Sequence, residues 1–503
     1  MFVTRRQMLQ LAAATAGASL QAQRPSKPNL LFLMSDQHRG DCLGAAGNRT
    51  VSTPNLDRIA REGVRFSSAY SCTPTCTPAR ACLLTGMAPW NNGMLGYGRV
   101  AEKYPVEKPR VLKQAGYYTA VIGKLHYSPQ RNYHGYDWAA LDESGRVESI
   151  DFRSDYRAWF ASEAPGFNAD ATGLGFNDYD GKPYVLPERL HPTKWTGDVA
   201  VHFLEQYQRP EPFFLKVSFA RPHSPYDPPQ RLFQKYFEAN LPKAHVGKWA
   251  ADRYRKPSSA ASDAWHGDFG EKQVHRSRAG YWGAVEYVDE QVGRILEALE
   301  KRGMLENTLI IYTSDHGDMT GDHHLWRKSY AYEASAHIPM LMRWPAGMLP
   351  RESRGKAMPQ PVELRDILAT LADAAGATIP GQIDGRSMLD IVRRNGEGWR
   401  EWIDLEHDVC YSPSNHWSAL TDGRRKYIFH ARDGEEQFFN LELDPHELID
   451  LSGESTHQRE IAQWRSRLIE HLSVRGERFV AGGKLALRPT STTYSPNYPR
   501  NKT

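Results

Sequence analysis

From Pro28 the chain runs Asn29-Leu30-Leu31-Phe32-Leu33-Met34-Ser35, an unbroken apolar stretch that stops abruptly at Asp36-Gln37-His38. Such a run, without polar alternation, predicts a strand buried on both faces whose C-terminal end carries polar groups. The same grammar recurs at Tyr118 to Ile122 before Gly123-Lys124-Leu125-His126, and at Phe213 to Phe219 before Ala220-Arg221-Pro222-His223. It appears once more at Thr308 to Ser314 before Asp315-His316-Gly317. Ligands of open α/β sheets bind beyond the carboxyl ends of the strands, so four decorated endings predict one shared pocket. Between them lie helical periodicities: Asn55 to Gly63, with Leu56, Ile59 and Ala60 on one face, and a long amphipathic stretch from Ala279 to Arg302 closed by Gly303. Strands alternating with helices predict an α/β architecture.

The Gly-, Asp- and aromatic-rich stretch from Ser128 to Pro187 and the polar stretch from Lys243 to His275 read as insertions, where substrate-selecting loops often sit. A helical Val362 to Ala374 segment is followed by a Gly/Pro/Asp cluster at Gly376 to Gly385, which marks a boundary. Beyond it, Trp417 to Thr421, Asp422-Gly423 and Lys426 to His430 predict a hairpin, Glu436 to Leu441 another strand, and Gln458 to Leu472 a helix. The organisation expected is a main unit over 28–376, a smaller antiparallel-sheet unit over 386–487, and a polar, mobile tail over 488–503.

Charge changes this picture little: 63 basic against 59 acidic side chains leave +4 on 503 residues, which argues against a broad nucleic-acid footprint. The first 22 residues add more. Arg5-Arg6, the mildly apolar Leu11 to Leu20 and Gln21-Ala22 before Gln23 read as an export signal of the twin-arginine kind, and hence a periplasmic or secreted protein. That stretch is too short to span a bilayer, and no later apolar run reaches 18 residues, so no integral membrane segment is expected in the mature chain. Of the five cysteines, Cys72, Cys76 and Cys82 crowd together at spacings unlike a zinc knuckle.

Around the middle one runs Pro74-Thr75-Cys76-Thr77-Pro78-Ala79-Arg80-Ala81-Cys82-Leu83-Leu84-Thr85-Gly86. This string resembles the sulfatase signature, C-x-P-x-R followed by two apolar residues, Thr and Gly. Gly123-Lys124-Leu125-His126 is similar to the family's Gly-Lys-x-His, and Pro222-His223-Ser224-Pro225 to its Pro-His-x-Pro. The resemblance extends from Pro28 to the hairpin at Asp422. It implies an alkaline-phosphatase-like α/β fold, a mixed sheet flanked by helices with a smaller C-terminal antiparallel-sheet subdomain, and hydrolysis of a sulfate ester.

The resemblance also implies that a maturation enzyme oxidises Cys76 to formylglycine. One hydroxyl of the hydrated aldehyde attacks sulfur and the other lets the product collapse by C–O cleavage. A helix starting just after Pro78 would aim amide N–H groups at the sulfate, and Arg80 would add fixed positive charge. Lys124 would bind sulfate, His126 would take a proton from the diol, and His223 and Lys328 would clamp sulfate or protonate the leaving oxygen. The family's divalent cation, most often Ca²⁺, would fall to Asp36, Asp315 and the modified Cys76, with Gln37 as a weaker ligand. Many members carry Asp-Asp and Asp-Asn where this chain has Asp36-Gln37 and Asp315-His316. The Asp-His pair resembles the choline-sulfatase and phosphonate-monoester-hydrolase branch; His316 would then be a ligand, which keeps Mn²⁺, Mg²⁺ or Zn²⁺ open.

The substrate implied is a sulfated carbohydrate or small molecule. The alternatives are a phosphonate monoester or phosphodiester at the same site, or an inactive binding protein with unmodified Cys76. Cys42, Cys72, Cys82 and Cys410 are left to pair in an oxidising compartment. His323, His324, Trp326 and Arg327 either line the pocket or pack a loop. Glu406, His407 and His416 read as structural, and Asp318 and Asp322 as solvated carboxylates.

Overall fold

The computed structural model describes residues 27–146 and 151–500; the export-signal reading of residues 1–22 lies outside them. Eight strands form the main sheet: β1 (Asn29–Asp36), β2 (Val64–Tyr70), β3 (Tyr118–Gly123), β4 (Trp138–Leu141), β5 (Phe213–Pro222), β6 (Thr308–Ser314), β7 (Met340–Arg343) and β8 (Lys356–Glu363). Their order is β4-β3-β5-β1-β6-β7-β2-β8. Only β7 runs antiparallel to its neighbours, which makes the sheet mixed. The four strands with polar endings, β3, β5, β1 and β6, are adjacent and mutually parallel, so their endings share one edge.

Alternation along β1 divides the core. Leu30, Phe32 and Met34 pack on one face with Leu83, Leu112 and Ile367, while Leu31 and Leu33 pack on the other with Ile59, Val288 and Ile295. Each such side chain contributes roughly 1.5–3 kcal/mol of burial. The long helix on the second face, Glu271–Lys301, also caps a neighbour. Asp289 accepts from the backbone N–H of Leu56 at 2.8 Å and from Asn55 Nδ2 at 2.9 Å, closing the start of the Pro54–Glu62 helix. Burial pushes this carboxyl up to about 7.

A second sheet, ordered β12-β11-β10-β9, comprises β9 (Ile403–His407), β10 (Trp417–Thr421), β11 (Arg425–His430) and β12 (Glu436–Asn440), all antiparallel. The Gln458–Ser473 helix covers one face through Ile461, Trp464 and Leu468. The other face, with Ala419, Ile428 and Phe439, packs on Tyr70 and Tyr332 of the main body. Among the described residues no helix is long and apolar enough to cross a membrane.

Three expectations are corrected. The segment expected to be helical from Val362 is strand through Glu363. Its helix is Asp366–Ala375, begun by an Asp366 carboxylate that accepts the Glu363 N–H at 2.9 Å. The tail beyond Leu487 is docked rather than loose, because its backbone pairs with a turn: Leu95 N donates to Thr493 O at 2.9 Å, and Ser495 N to Gly93 O at 2.8 Å. Cys42, Cys72, Cys82 and Cys410 are free thiols. Cys42, for one, accepts from Trp282 Nε1 at 3.0 Å.

One core feature runs against ordinary design. Lys108 is 2% exposed with no hydrogen-bond partner for Nζ, which lies 4.4 Å from the centre of the Phe32 ring; Lys216, register partner of Phe32, lies over the same ring. Burial pulls the Lys108 amine down to about 7. The folded protein therefore holds a neutral amine that the unfolded chain would protonate up to its ordinary, higher pKa. Stability from this group is complete above the unfolded value and declines as pH falls toward 7. Replacing Lys108 by Met is expected to raise unfolding stability by roughly 1–4 kcal/mol at pH 7. The gain should shrink toward pH 10 in denaturant titrations, and a gain independent of pH would contradict the assignment.

Candidate active site

Cys76 opens the buried Cys76–Thr85 helix, three residues earlier than the sequence predicted. Pro78 falls within the first turn, where a missing N–H costs no helical bond. Gly86, at φ 68°, ends the helix in the left-handed region that favours glycine. One turn after Cys76, Arg80 lies fully buried. It donates from Nε to Asp315 Oδ2 at 2.9 Å, from Nη2 to Asp36 Oδ2 at 3.0 Å and from Nη1 to Lys124 O at 2.7 Å. Arg80 thus ties this helix to the ends of β1, β3 and β6.

Next to that clamp, one ligand atom each from Asp36, Cys76, Asp315 and His316 lies within 4.8 Å of every other, all buried. Cys76 Sγ is 3.1 Å from His316 Nε2 and 3.8 Å from Asp36 Oδ1. His316 Nδ1 is 3.0 Å from the Gly317 carbonyl, which accepts its N–H and so turns Nε2 toward the cluster. Two carboxylates, an imidazole and the Cys76 position form a donor set that fits a divalent cation. Both amide atoms of Gln37 have protein partners: its Nε2 donates to Asp318 Oδ2 at 2.5 Å, and its Oε1 accepts from Lys328 at 2.9 Å.

The electrostatics favour an anion at Cys76. Burial and Asp36 raise the thiol pKa, but Lys328, His316 and Lys124 outweigh them and bring it down to about 6. Asp36 opposes its own burial through Lys124, His223 and Arg80, which hold its carboxyl well below the usual range. Lys124 is ion-paired to it.

Lys328 Nζ lies 2.6 Å from His223 Nε2, while His223 Nδ1 donates to Ser224 O at 2.9 Å. Burial and Lys328 keep this imidazole neutral. The loop carrying Lys328 is pinned to the start of the Cys76–Thr85 helix, since Ser329 N donates to Pro74 O at 2.8 Å and the Thr75 and Ser329 hydroxyls are 2.7 Å apart. His126, at φ 61°, donates its backbone N–H to Glu143 at 3.0 Å, as Leu125 does at 2.8 Å. Burial, then Arg146, keep its ring neutral too.

All the singled-out residues therefore meet at one edge. Other readings change. Asp318 and Asp322 are buried: Asp318 also accepts from Tyr226 Oη and from Arg327 N at 3.1 Å, and Asp322 pairs with Arg39 at 2.9 Å and Arg278 at 2.6 Å. Both serve the loop that carries Lys328 and are not solvated. Trp326 is buried, the His323 ring centre lies 4.7 Å from that of Trp249, and the Arg327 guanidinium lies 3.9 Å over Tyr411. Glu406 pairs with Arg475, His407 Nδ1 lies 2.8 Å from Asn415 O, and His416 pairs with Asp408, all structural. Asp318, Tyr97 and Arg146 were missed as site residues, and no motif marks them.

Residues 28–377 match the sulfatase family, and residues 321–473 match "N-sulphoglucosamine sulphohydrolase, C-terminal". The chain is 38% identical to an arylsulfatase of Clostridium perfringens over 91% of its own length and 97% of the relative's. It is 31% identical to a choline-sulfatase of Rhizobium meliloti, covering 85% of this chain and 82% of that one. Among solved structures, a phosphonate monoester hydrolase of Agrobacterium radiobacter superposes with a TM-score of 0.75 at 24% identity, over 90% of this chain and 96% of that one, a likeness of fold. The family implies a divalent metal, and the Asp36, Cys76, Asp315 and His316 cluster is where the fold offers one. The chain belongs to the sulfatase family and is an enzyme that hydrolyses sulfate esters.

Proposed function

We propose that this sulfatase acts outside the cytoplasm on a sulfated carbohydrate or comparable small molecule, with Cys76 converted to formylglycine by a maturation enzyme and a divalent ion, Ca²⁺ first, held by Asp36, Asp315, His316 and the modified Cys76. The observation that carries this reading is the buried cluster of those four residues, with Lys124 and Lys328 converging on Cys76. Two relatives support the sugar: an N-acetylglucosamine-6-O-sulfatase of Bacteroides thetaiotaomicron, 27% identical over 91% of this chain and 89% of that one, and a structure titled as bound to D-glucosamine-2-N,6-O-disulfate, with a TM-score of 0.71 at 23% identity over 89% of this chain and 98% of that one. The Arg5-Arg6 pattern supports export by the twin-arginine route.

When bound, the ion would polarise sulfate oxygens and lower the pKa of the hydrated aldehyde, whose second hydroxyl permits release of sulfate without a further attack on sulfur. The side chains do the rest. Lys124 neutralises sulfate charge beside Asp36. Lys328 and His223 hold a proton at their 2.6 Å contact, within which it is placed for a departing alkoxide. His126, neutral through burial, accepts a hydroxyl proton. Arg80 orients both ligating carboxylates.

The second reading, a phosphonate monoesterase, rests on the His316 donor that the Asp-His pair supplies. Protein matured in its native host and loaded with Ca²⁺ should hydrolyse 4-nitrophenyl sulfate with a kcat/KM at least about 100-fold above that for a 4-nitrophenyl phosphonate monoester, a difference of about 2.7 kcal/mol in the barrier. Dominant phosphonate turnover would exchange the two readings.

A further inference from the structure

Each cation at the floor of the site has a partner in the protein. Arg80 holds Asp36 and Asp315, Lys124 pairs with Asp36, and Lys328 is shared between Gln37 and His223. Arg146 differs. Among the described residues no carboxylate lies within ion-pair distance of its guanidinium. Nη1 rests 2.8 and 2.9 Å from the two ring nitrogens of His126, and among the described residues neither Nε nor Nη2 has a hydrogen-bond partner.

The position is built rather than accidental. Arg146 follows a tight turn in which Ser144 takes φ 53° and Gly145 φ 73°, Ser144 N donates to Asp142 Oδ1 at 3.1 Å and Arg146 N donates to Glu143 O at 3.1 Å. At φ 73° Gly145 takes a backbone conformation that L side chains rarely adopt, so the turn depends on glycine there. Glu143, which starts it, is clamped by the N–H groups of Leu125 and His126. Half-buried, the guanidinium sits close enough to Cys76 and Asp36 for both to stabilise its charge against burial. Beside the His126 ring stands Tyr97, 46% exposed, with ring centres 5.9 Å apart and its hydroxyl 3.4 Å from Nε2.

A fork of free N–H donors beside an exposed aromatic face is a receptor for a planar or tetrahedral oxyanion carried on a ring. The scissile sulfate cannot be its purpose alone, because the floor cations already converge on Cys76. We infer that Arg146 is a specificity residue that binds a second anionic group, a carboxylate or a further sulfate, on the alcohol portion of the ester, while Tyr97 packs against the ring bearing it. The preferred substrate class is thus a doubly charged sulfate ester. This rests on the proposed function only in placing the scissile sulfate at Cys76.

Binding can be read without turnover. In metal-loaded Cys76→Ala protein, dissociation constants are measured by calorimetry for phenyl sulfate, its three ring-carboxylated isomers and the benzene bis-sulfates. At least one dianion should bind about tenfold or more tighter than phenyl sulfate. The ratio should fall to about threefold or less in Cys76→Ala/Arg146→Gln, and Arg146→Lys should keep part of it. The carboxylate and bis-sulfate arms show which oxyanion is read. Thermal unfolding of the three proteins confirms that they are equally folded, and the lysine variant carries the comparison where glutamine lowers stability. A ratio near one in the Cys76→Ala protein, or one untouched by Arg146→Gln and Arg146→Lys, overturns the assignment. Failure of matured enzyme to hydrolyse 4-nitrophenyl sulfate would instead strike the proposed function and leave these titrations standing.

Discussion

Cys76→Ala protein is expected to lose about 10⁴-fold or more of kcat/KM toward 4-nitrophenyl sulfate while keeping its fold and its affinity for sulfate esters within a few-fold. The side chain is 0% exposed, and Lys328, His316 and Lys124 all act on its sulfur position. The field itself survives the substitution, since Arg80, Lys124 and Lys328 keep their partners; hence turnover falls and binding persists. Mass spectrometry of the peptide spanning Cys76 provides the companion measurement: protein from the native host should be lighter there by the exchange of a thiol for an aldehyde. An alanine variant retaining a tenth of wild-type activity would refute the assignment of the nucleophile. An unmodified thiol in native-host protein would favour an inactive binding protein.

Arg80→Ala is expected to be the most destabilising single change at the site. Arg80 is fully buried between two fully buried carboxylates, at 2.9 and 3.0 Å, and also satisfies the Lys124 carbonyl at 2.7 Å. Its removal takes the guanidinium from both Asp36 and Asp315. Breaking a buried pair of this kind costs about 3–5 kcal/mol. Because a divalent ion supplies positive charge to the same carboxylates, the loss should be largest after treatment with a chelator and partly reversed on adding Ca²⁺. Thermal unfolding with and without the ion checks this. A variant as stable as wild type under chelator would show that the clamp is dispensable.

The parts of this molecule legible in its sequence are those where local pattern and final environment agree. β1, β3, β5 and β6 read clearly because they occupy the middle of the sheet and are apolar on both faces. Their polar endings then pointed to Asp36, Lys124, His126, His223, Asp315 and His316 without any knowledge of topology. β2, with its mixed Val-Arg-Phe-Ser-Ser-Ala-Tyr, carried no such signal, and β8 contains Pro359 and Pro361, which an edge strand tolerates and a pattern reader takes for loop. Asp318 and Asp322 looked solvated because Gly317 and Gly321 flank them. Their partners Tyr226, Arg39 and Arg278 come from distant segments, and only the fold brings them near. Arg146 lay in a stretch read as an insertion, with nothing local to separate it from any other surface arginine.

The docked tail has a bearing on the order in which the molecule assembles. Tyr494 Oη receives the Arg99 N–H across a separation of 395 residues, and the neighbouring backbone pairs join Gly93, Leu95 and Gly96 to the same segment. Contacts so distant along the chain carry a high loop-closure cost and form only after the sheet has drawn their ends together. The turn that presents Tyr97 beside His126 is therefore among the last parts to set, and among the first to loosen in mild denaturant. Partial unfolding would then erase substrate discrimination before it dismantles the nucleophile's surroundings.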